Sequence, residues 1–187
     1  LIDNGHKVYL TVRDRNTLNL DESTLQSVFI VEADFLKKDS LQELPKKIDV
    51  AYFLIHSLAN DSGEFQEMEI KIAENFRDYI DQTKAKQLIY LGGISNDDNL
   101  SVHLESRKRT ETILSESKVP LTVFRAAIII GSGGASFDII RDLVEKLPIM
   151  VAPKWLNVKC QPIGIRNVIG YLLDAISNEK LYGKTYD

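Results

Sequence analysis

Short apolar runs alternate with helical patterns from one end of the chain to the other, and few folds accommodate that rhythm. Lys7 to Val12 (KVYLTV) is β-branched and aromatic and predicts a strand, and Val28 to Val31 predicts a second. Asp49 to Ile55 (DVAYFLI) is a near-continuous apolar run, as a strand covered on both faces requires. Gln87 to Leu91 (QLIYL), Leu121 to Ile130 and Tyr182 to Asp187 add further strands. Between them, Phe65, Met68, Ile72, Phe76 and Tyr79 recur at the three- and four-residue spacing of one helix face. A charged helix is expected after a polar loop over 95–101, running to about Ser117, with Val119-Pro120 as the next turn. Phe137, Ile140, Leu143 and Val144 mark another helix, and Val168 to Ile176 the last. A short helix near Leu41 and Leu44 would be capped by Asp39 or Ser40. Leu1 to Gly5 reads as the final turn of a helix stopped by Gly5. Residues 146–161 are irregular, with a short strand expected at Leu156 to Cys160. Strands and helices in this order imply an α/β fold, a doubly wound parallel sheet with right-handed crossovers.

Composition narrows the function classes. A chain of 187 residues suits a single domain, and its net charge of −4 leaves no basic footprint for nucleic acid. The longest apolar stretch, Phe124 to Gly131, is broken by Arg125 and is too short for a membrane span. Cys160 is the only cysteine, so no internal disulfide forms. A reducing, cytoplasmic setting is expected, with Cys160 as a small buried or half-buried side chain. No signal peptide is visible, no metal site is assigned, and an oligomer is compatible with the sequence.

In doubly wound sheets ligands bind beyond the C-terminal ends of the strands, so those ends are where chemistry is sought. After the first strand comes Val12-Arg13-Asp14. A carboxylate at such a position holds the ribose diol of NAD, whereas a nearby arginine accommodates the extra phosphate of NADP. The Arg13 fork suits a phosphate; alternatively Arg13 is a surface residue paired with Asp14. Asp34, after the second strand, either accepts from an adenine amino group or serves a turn. His56 either faces a ligand or bonds to backbone at its strand end. Gly92 and Gly93 permit close backbone approach to a ligand, or simply a turn. His103 and Arg107 share a helical face. A titratable group beside a fixed cation is an acid/base arrangement, although the spacing alone equally describes a solvated helix start. Arg125, inside an apolar run, must be paired or face a ligand.

The ordered segments GHKVYLTVRD, EADF, AYFLIHSL, QLIYLGGIS, HLESR, LTVFRAAIIIGSGGASFDII and QPIGIRNV resemble the atypical short-chain dehydrogenase/reductases. The likeness is to NmrA-like and NAD(P)-binding, epimerase-like bacterial proteins, and it extends over the whole chain. It implies a Rossmann-type sheet and a nicotinamide dinucleotide, which the Arg13 fork would make NADP in preference to NAD. Arg13, Asp34 and Phe35 would surround the adenosine half. Leu54, Ile55 and His56 would line the ribose and pyrophosphate, and Leu91, Gly92 and Gly93 would sit near the nicotinamide. Arg107 would take the place of the family's ribose-binding lysine and His103 that of its catalytic tyrosine. Gly93 falls about where the family's serine or threonine stands, with Ser95 two residues late. The resemblance also implies a strand and a glycine loop ahead of Leu1, without which dinucleotide binding would be poor. Residues 146–164, with Trp155, would belong to the substrate side. An oxidoreductase or sugar-nucleotide-epimerase-like enzyme acting on an unidentified small molecule is the leading expectation. A non-catalytic NAD(P) sensor is the alternative.

Overall fold

The structure, a computed structural model, describes residues 1–55, 63–94, 101–131, 135–146 and 160–187. Strand β1 (Val8–Val12) is followed by the six-residue helix α1 (Glu22–Ser27), β2 (Val28–Glu32) and β3 (Val50–Phe53). Helix α2 (Gly63–Ile80), β4 (Gln87–Gly93), α3 (Val102–Ser115) and β5 (Leu121–Ala126) come next. The chain continues through β6 (Ile128–Ile130), α4 (Ala135–Lys146), β7 (Pro162–Gly164), α5 (Ile165–Asp174) and β8 (Thr185–Tyr186).

Every strand pairing is parallel, as the apolar runs predict. The main ladder runs β3-β4-β5-β8, with β1-β2 and β6-β7 as separate two-stranded ladders. Alternate residues divide between two faces because side chains along a strand point in opposite directions. Ala51 and Phe53, Leu88 and Tyr90, and Leu121 and Val123 join α2 residues Ala73, Phe76 and Ile80 in one core, with Leu114 of α3. The other face takes α5: Tyr52 donates to the Leu172 carbonyl at 2.6 Å, and Phe124 stacks on Tyr171 at 6.4 Å. Helices therefore cover both faces, and the sheet is doubly wound.

Helix α2 also carries the β1-β2 ladder's neighbourhood into this core. The Phe35 ring packs on Phe76 at 5.2 Å, and Phe76 meets Phe53 edge-on at 4.9 Å. Tyr79 donates to the Pro45 carbonyl at 2.7 Å. Ile72, Phe76 and Tyr79 thus form the expected inward face, while the Phe65 side chain lies outside the described residues.

Several boundaries differ from the sequence expectation. The run 121–130 divides at Ala127, because β5 follows β4 only to the Gly93–Ala126 pair and β6 then joins β7. Strand β3 stops at Phe53, its last residue paired with β4, leaving Leu54 and Ile55 beyond the ladder. Helix α1 was not expected; Asp21 caps it by accepting from the Thr24 N–H at 2.9 Å. Neither Asp39 nor Ser40 caps the 3-10 turn Lys38–Glu43, which has no side-chain cap. Gly5 does end its helical turn, at φ 77°. Leu143 and Val144 of α4 are exposed. Cys160 is exposed rather than buried, in the irregular approach to β7. The strand expected at 156–160 and most of 146–164, with Trp155, lie outside the described residues.

Three tyrosines, Tyr90 buried and Tyr52 and Tyr79 half-buried, give the fold an alkaline limit. Burial pushes Tyr52, Tyr79 and Tyr90 each up from 10.0 to about 12. A phenol whose folded value is raised contributes stability that is complete below the unfolded value and is lost as pH rises through the folded one. Stability should therefore fall between pH 10 and about 12. In an alkaline titration these three phenolates should appear together with loss of helical circular dichroism. Their ionisation in a chain that keeps its full helical signal would disprove the coupling.

Candidate active site

The C-terminal ends of the strands carry most of the residues singled out by sequence. Arg13 follows β1, is exposed, and makes no hydrogen bond or ion pair with the described residues. Asp14 does not hold it: that carboxylate accepts from the Asn16 N–H at 2.8 Å and caps the next turn. Arg15 is also committed, donating to the Ile30 carbonyl at 2.7 Å. Among the described residues Arg13 is thus left as a free guanidinium where β1 ends.

Asp34 follows β2 as a turn residue. Its Oδ1 accepts from the Leu36 N–H at 3.0 Å, and Lys37 lies 4.0 Å from Oδ2. Ser40 pins the same turn, its hydroxyl accepting from the Asp34 N–H at 2.9 Å and facing the Asp34 carbonyl at 2.9 Å. The carboxylate keeps 25% exposure, enough for one outward contact. Phe35 is different: it is 6% exposed and its ring belongs to the core, so its side chain offers no face to a ligand. Its carbonyl is held by Asn75 Nδ2 at 2.6 Å. Asn75 Oδ1 is buried and has no partner among the described residues.

Leu54 and Ile55 extend past β3 with 49% and 37% exposure, and so present apolar surface at a strand end. His56 and Ser95 lie outside the described residues. Leu91, Gly92 and Gly93 end β4 and are half-buried. The two glycines are needed by the protein's own packing. A Cβ on Gly92 would stand 2.9 Å from the Tyr90 ring, and one on Gly93 would stand 3.0 Å from Leu104 of α3.

Helix α3 starts where expected, Ser101 accepting from the Leu104 N–H at 3.3 Å. Ser106, Thr110 and Leu114 form its buried face. His103 is exposed and has no partner among the described residues; Arg107 is half-buried. Tyr90 donates to the Arg107 carbonyl at 3.3 Å. Its hydroxyl, raised to about 12 chiefly by burial, is a structural donor rather than a proton shuttle. Arg107 also lines a cavity of about 10 Å³ with Phe53, Ile55, Glu69, Ile72 and Thr110. Strand end β3 and helix α3 therefore meet at Arg107. A larger cavity of about 380 Å³ lies at the other end, beside Leu121, Val123 and Thr185, away from these residues.

Arg125 is paired, not ligand-facing. It makes two hydrogen bonds to the Glu111 carboxylate, at 2.7 and 3.0 Å, and reaches Asp187 at 3.4 Å. Those bonds hold the guanidinium above its ordinary value and tie β5 to α3. Three residues whose roles the sequence did not show brace the site: Ser40 and Asn75 hold the turn of Asp34 and Phe35, and Glu69 holds Ser106 of α3. Only Ser40 drew notice, as a helix cap.

Among the described residues no helix is long and apolar enough to cross a membrane, and no group of three His, Cys, Asp or Glu is placed to hold a metal ion. No family model matches the sequence, and no curated protein matches it. Solved structures do match. A nucleoside-diphosphate-sugar epimerase from Staphylococcus aureus superposes with a TM-score of 0.75 at 19% identity, over 99% of this chain and 63% of that one. The Bordetella bronchiseptica enzyme WbmG, solved with NAD, gives 0.74 at 12% identity, over 99% and 65%. The UDP-glucuronic acid 4-epimerase of Bacillus cereus, solved with NAD, gives 0.64 at 16%, over 88% and 60%. The chain thus spans less than two thirds of the length of these structures. In agreement with the resemblance read from its motifs, the chain has the Rossmann-type fold of these epimerase structures.

Proposed function

We propose that the intact gene product binds a nicotinamide dinucleotide across the strand ends, prefers NADP, and is an epimerase-like oxidoreductase acting on a small molecule. The observation that carries the reading is Arg13: an exposed guanidinium at the end of β1, without a partner among the described residues, while both neighbouring polar residues are engaged elsewhere. The residues present fit such a ligand. Arg13 would take the 2′-phosphate, the outward oxygen of Asp34 the adenine amino group, and Leu54 and Ile55 the apolar side of the ribose. Arg107 would hold ribose hydroxyls, and the backbone of Leu91 to Gly93 would flank the nicotinamide. When bound, the dinucleotide supplies hydride transfer. His103 is the group assigned to give or take the accompanying proton, which an imidazole does near neutral pH.

The sensor reading has its own support. The tyrosine that touches α3, Tyr90, is fully buried and does not stand in for the proton donor that His103 replaces. One set of measurements separates these readings. Arg13→Ala should weaken NADP binding by about 10–100-fold and leave NAD binding within about threefold, the loss expected for one charged hydrogen-bonding partner. Equal NAD and NADP affinity in the unchanged protein would overturn the NADP assignment. Turnover of NADPH with any carbonyl or sugar-nucleotide partner, abolished by His103→Ala, supports the enzyme. Selective binding without turnover supports the sensor.

A further inference from the structure

Glu69 of α2 reaches across to α3 and accepts a hydrogen bond from the Ser106 hydroxyl. Ser106 is 7% exposed and sits between His103, three residues earlier, and Arg107, the next residue. Glu69 also lines the small cavity that Arg107 and Ile55 share. A carboxylate at a half-buried helix crossing costs desolvation energy that an apolar residue would avoid. Plain packing between α2 and α3 therefore does not account for it. Neither does capping, since Glu69 lies well inside α2. Its negative charge is felt at the Tyr90 hydroxyl together with the opposite charge of Arg107, so all three groups occupy one electrostatic neighbourhood.

We infer that Glu69 is a positioning residue: through Ser106 it sets the roll of α3, and through its charge it sets the Arg107 guanidinium, so that His103 and Arg107 meet the dinucleotide in fixed register. A helix rolled by one residue carries its side chains about 100° around the axis, so the Glu69–Ser106 bond, one turn from His103, acts on the direction in which His103 points. The inference rests on the reading of His103 and Arg107 as ligand-facing. Its test uses the intact gene product and NADPH as the probe.

Glu69→Ala and Ser106→Ala should each weaken NADPH binding about tenfold, the double variant no more than Glu69→Ala alone, because they break one bond. Glu69→Gln keeps an acceptor for Ser106 and should recover most of the loss, while the remaining deficit should vanish in an Arg107→Ala background. Mere helix gluing moves the melting temperature without this pattern of rescue. If Glu69→Ala fails to fold, Ser106→Ala, which removes only a hydroxyl, carries the same expectation. Wild-type NADPH affinity in a folded Glu69→Ala or Ser106→Ala protein overturns the inference and leaves the proposed function standing. Absence of dinucleotide binding by the unchanged protein overturns both.

Discussion

Phe76→Ala will lower the stability of the folded chain by about 3–5 kcal/mol, the cost of emptying a large aromatic site in a close-packed core. Phe76 is 6% exposed and touches three other rings: Phe53 at 4.9 Å, Phe35 at 5.2 Å and Tyr79 at 6.4 Å. Phe53 passes the contact on to Tyr90 at 5.9 Å. The rings come from α2, β3, β4 and the turn after β2, so no single element can move to fill the space. A domain of this kind holds about 5–15 kcal/mol in all, and the variant should be marginal at physiological temperature. Urea unfolding measures it, the midpoint falling with little change in slope. A loss under about 1.5 kcal/mol would mean that the cluster collapses around the gap. Phe29→Ala is the control: that ring is 51% exposed, and its loss should cost under about 1 kcal/mol. The effect should also reach the strand ends, since Phe35 follows Asp34 and Phe53 precedes Leu54.

Gln87→Leu is expected to cost about 3 kcal/mol, through unmade hydrogen bonds and not through volume. The Gln87 side chain is fully buried at the start of β4 and satisfied at both ends. Its Nε2 donates to Thr122 Oγ1 at 3.1 Å and to the Ala175 carbonyl at 2.9 Å, and its Oε1 accepts from the Ser177 N–H at 2.9 Å. Thr122 in turn donates to the Leu181 carbonyl at 3.0 Å. One amide therefore fastens the end of α5 and the following turn, where Ser177 holds φ 55°, to the middle of the sheet. Leucine fills the volume but leaves those partners without theirs. Thermal unfolding of Gln87→Leu beside Gln87→Glu would measure the cost. A melting temperature unchanged by leucine would show that water replaces the amide.

The strands were legible because a strand buried on both faces must be apolar almost throughout, and Val50 to Phe53 and Gln87 to Leu91 are. Helix α2 was legible because Ile72, Phe76 and Tyr79 keep the helical spacing over several turns. Helix α1 was not, since Leu25 is its one apolar residue; the signal available was the cap at Asp21. Apolar character alone could not separate Phe53, inside the ladder, from Leu54 and Ile55 beyond it. The exposed strand-end positions were accessible by the same logic that located the ends. Phe35 was not, because an aromatic after an acid suits a ligand or a core equally, and α2 decides the matter from 40 residues away. Arg125 left two readings open until Glu111, on another element, closed one. Glu69 is one of several charges on α2, and nothing local marks it.

Among the described residues, α2 and the Phe35 turn tie the β1-β2 ladder to the main one. That tie is made by Asn75 Nδ2, which holds the Phe35 carbonyl at 2.6 Å, and by the Phe35 ring resting on Phe76. A ligand that touched Arg13 on one ladder and Ile55 on the other would clamp the two units into one.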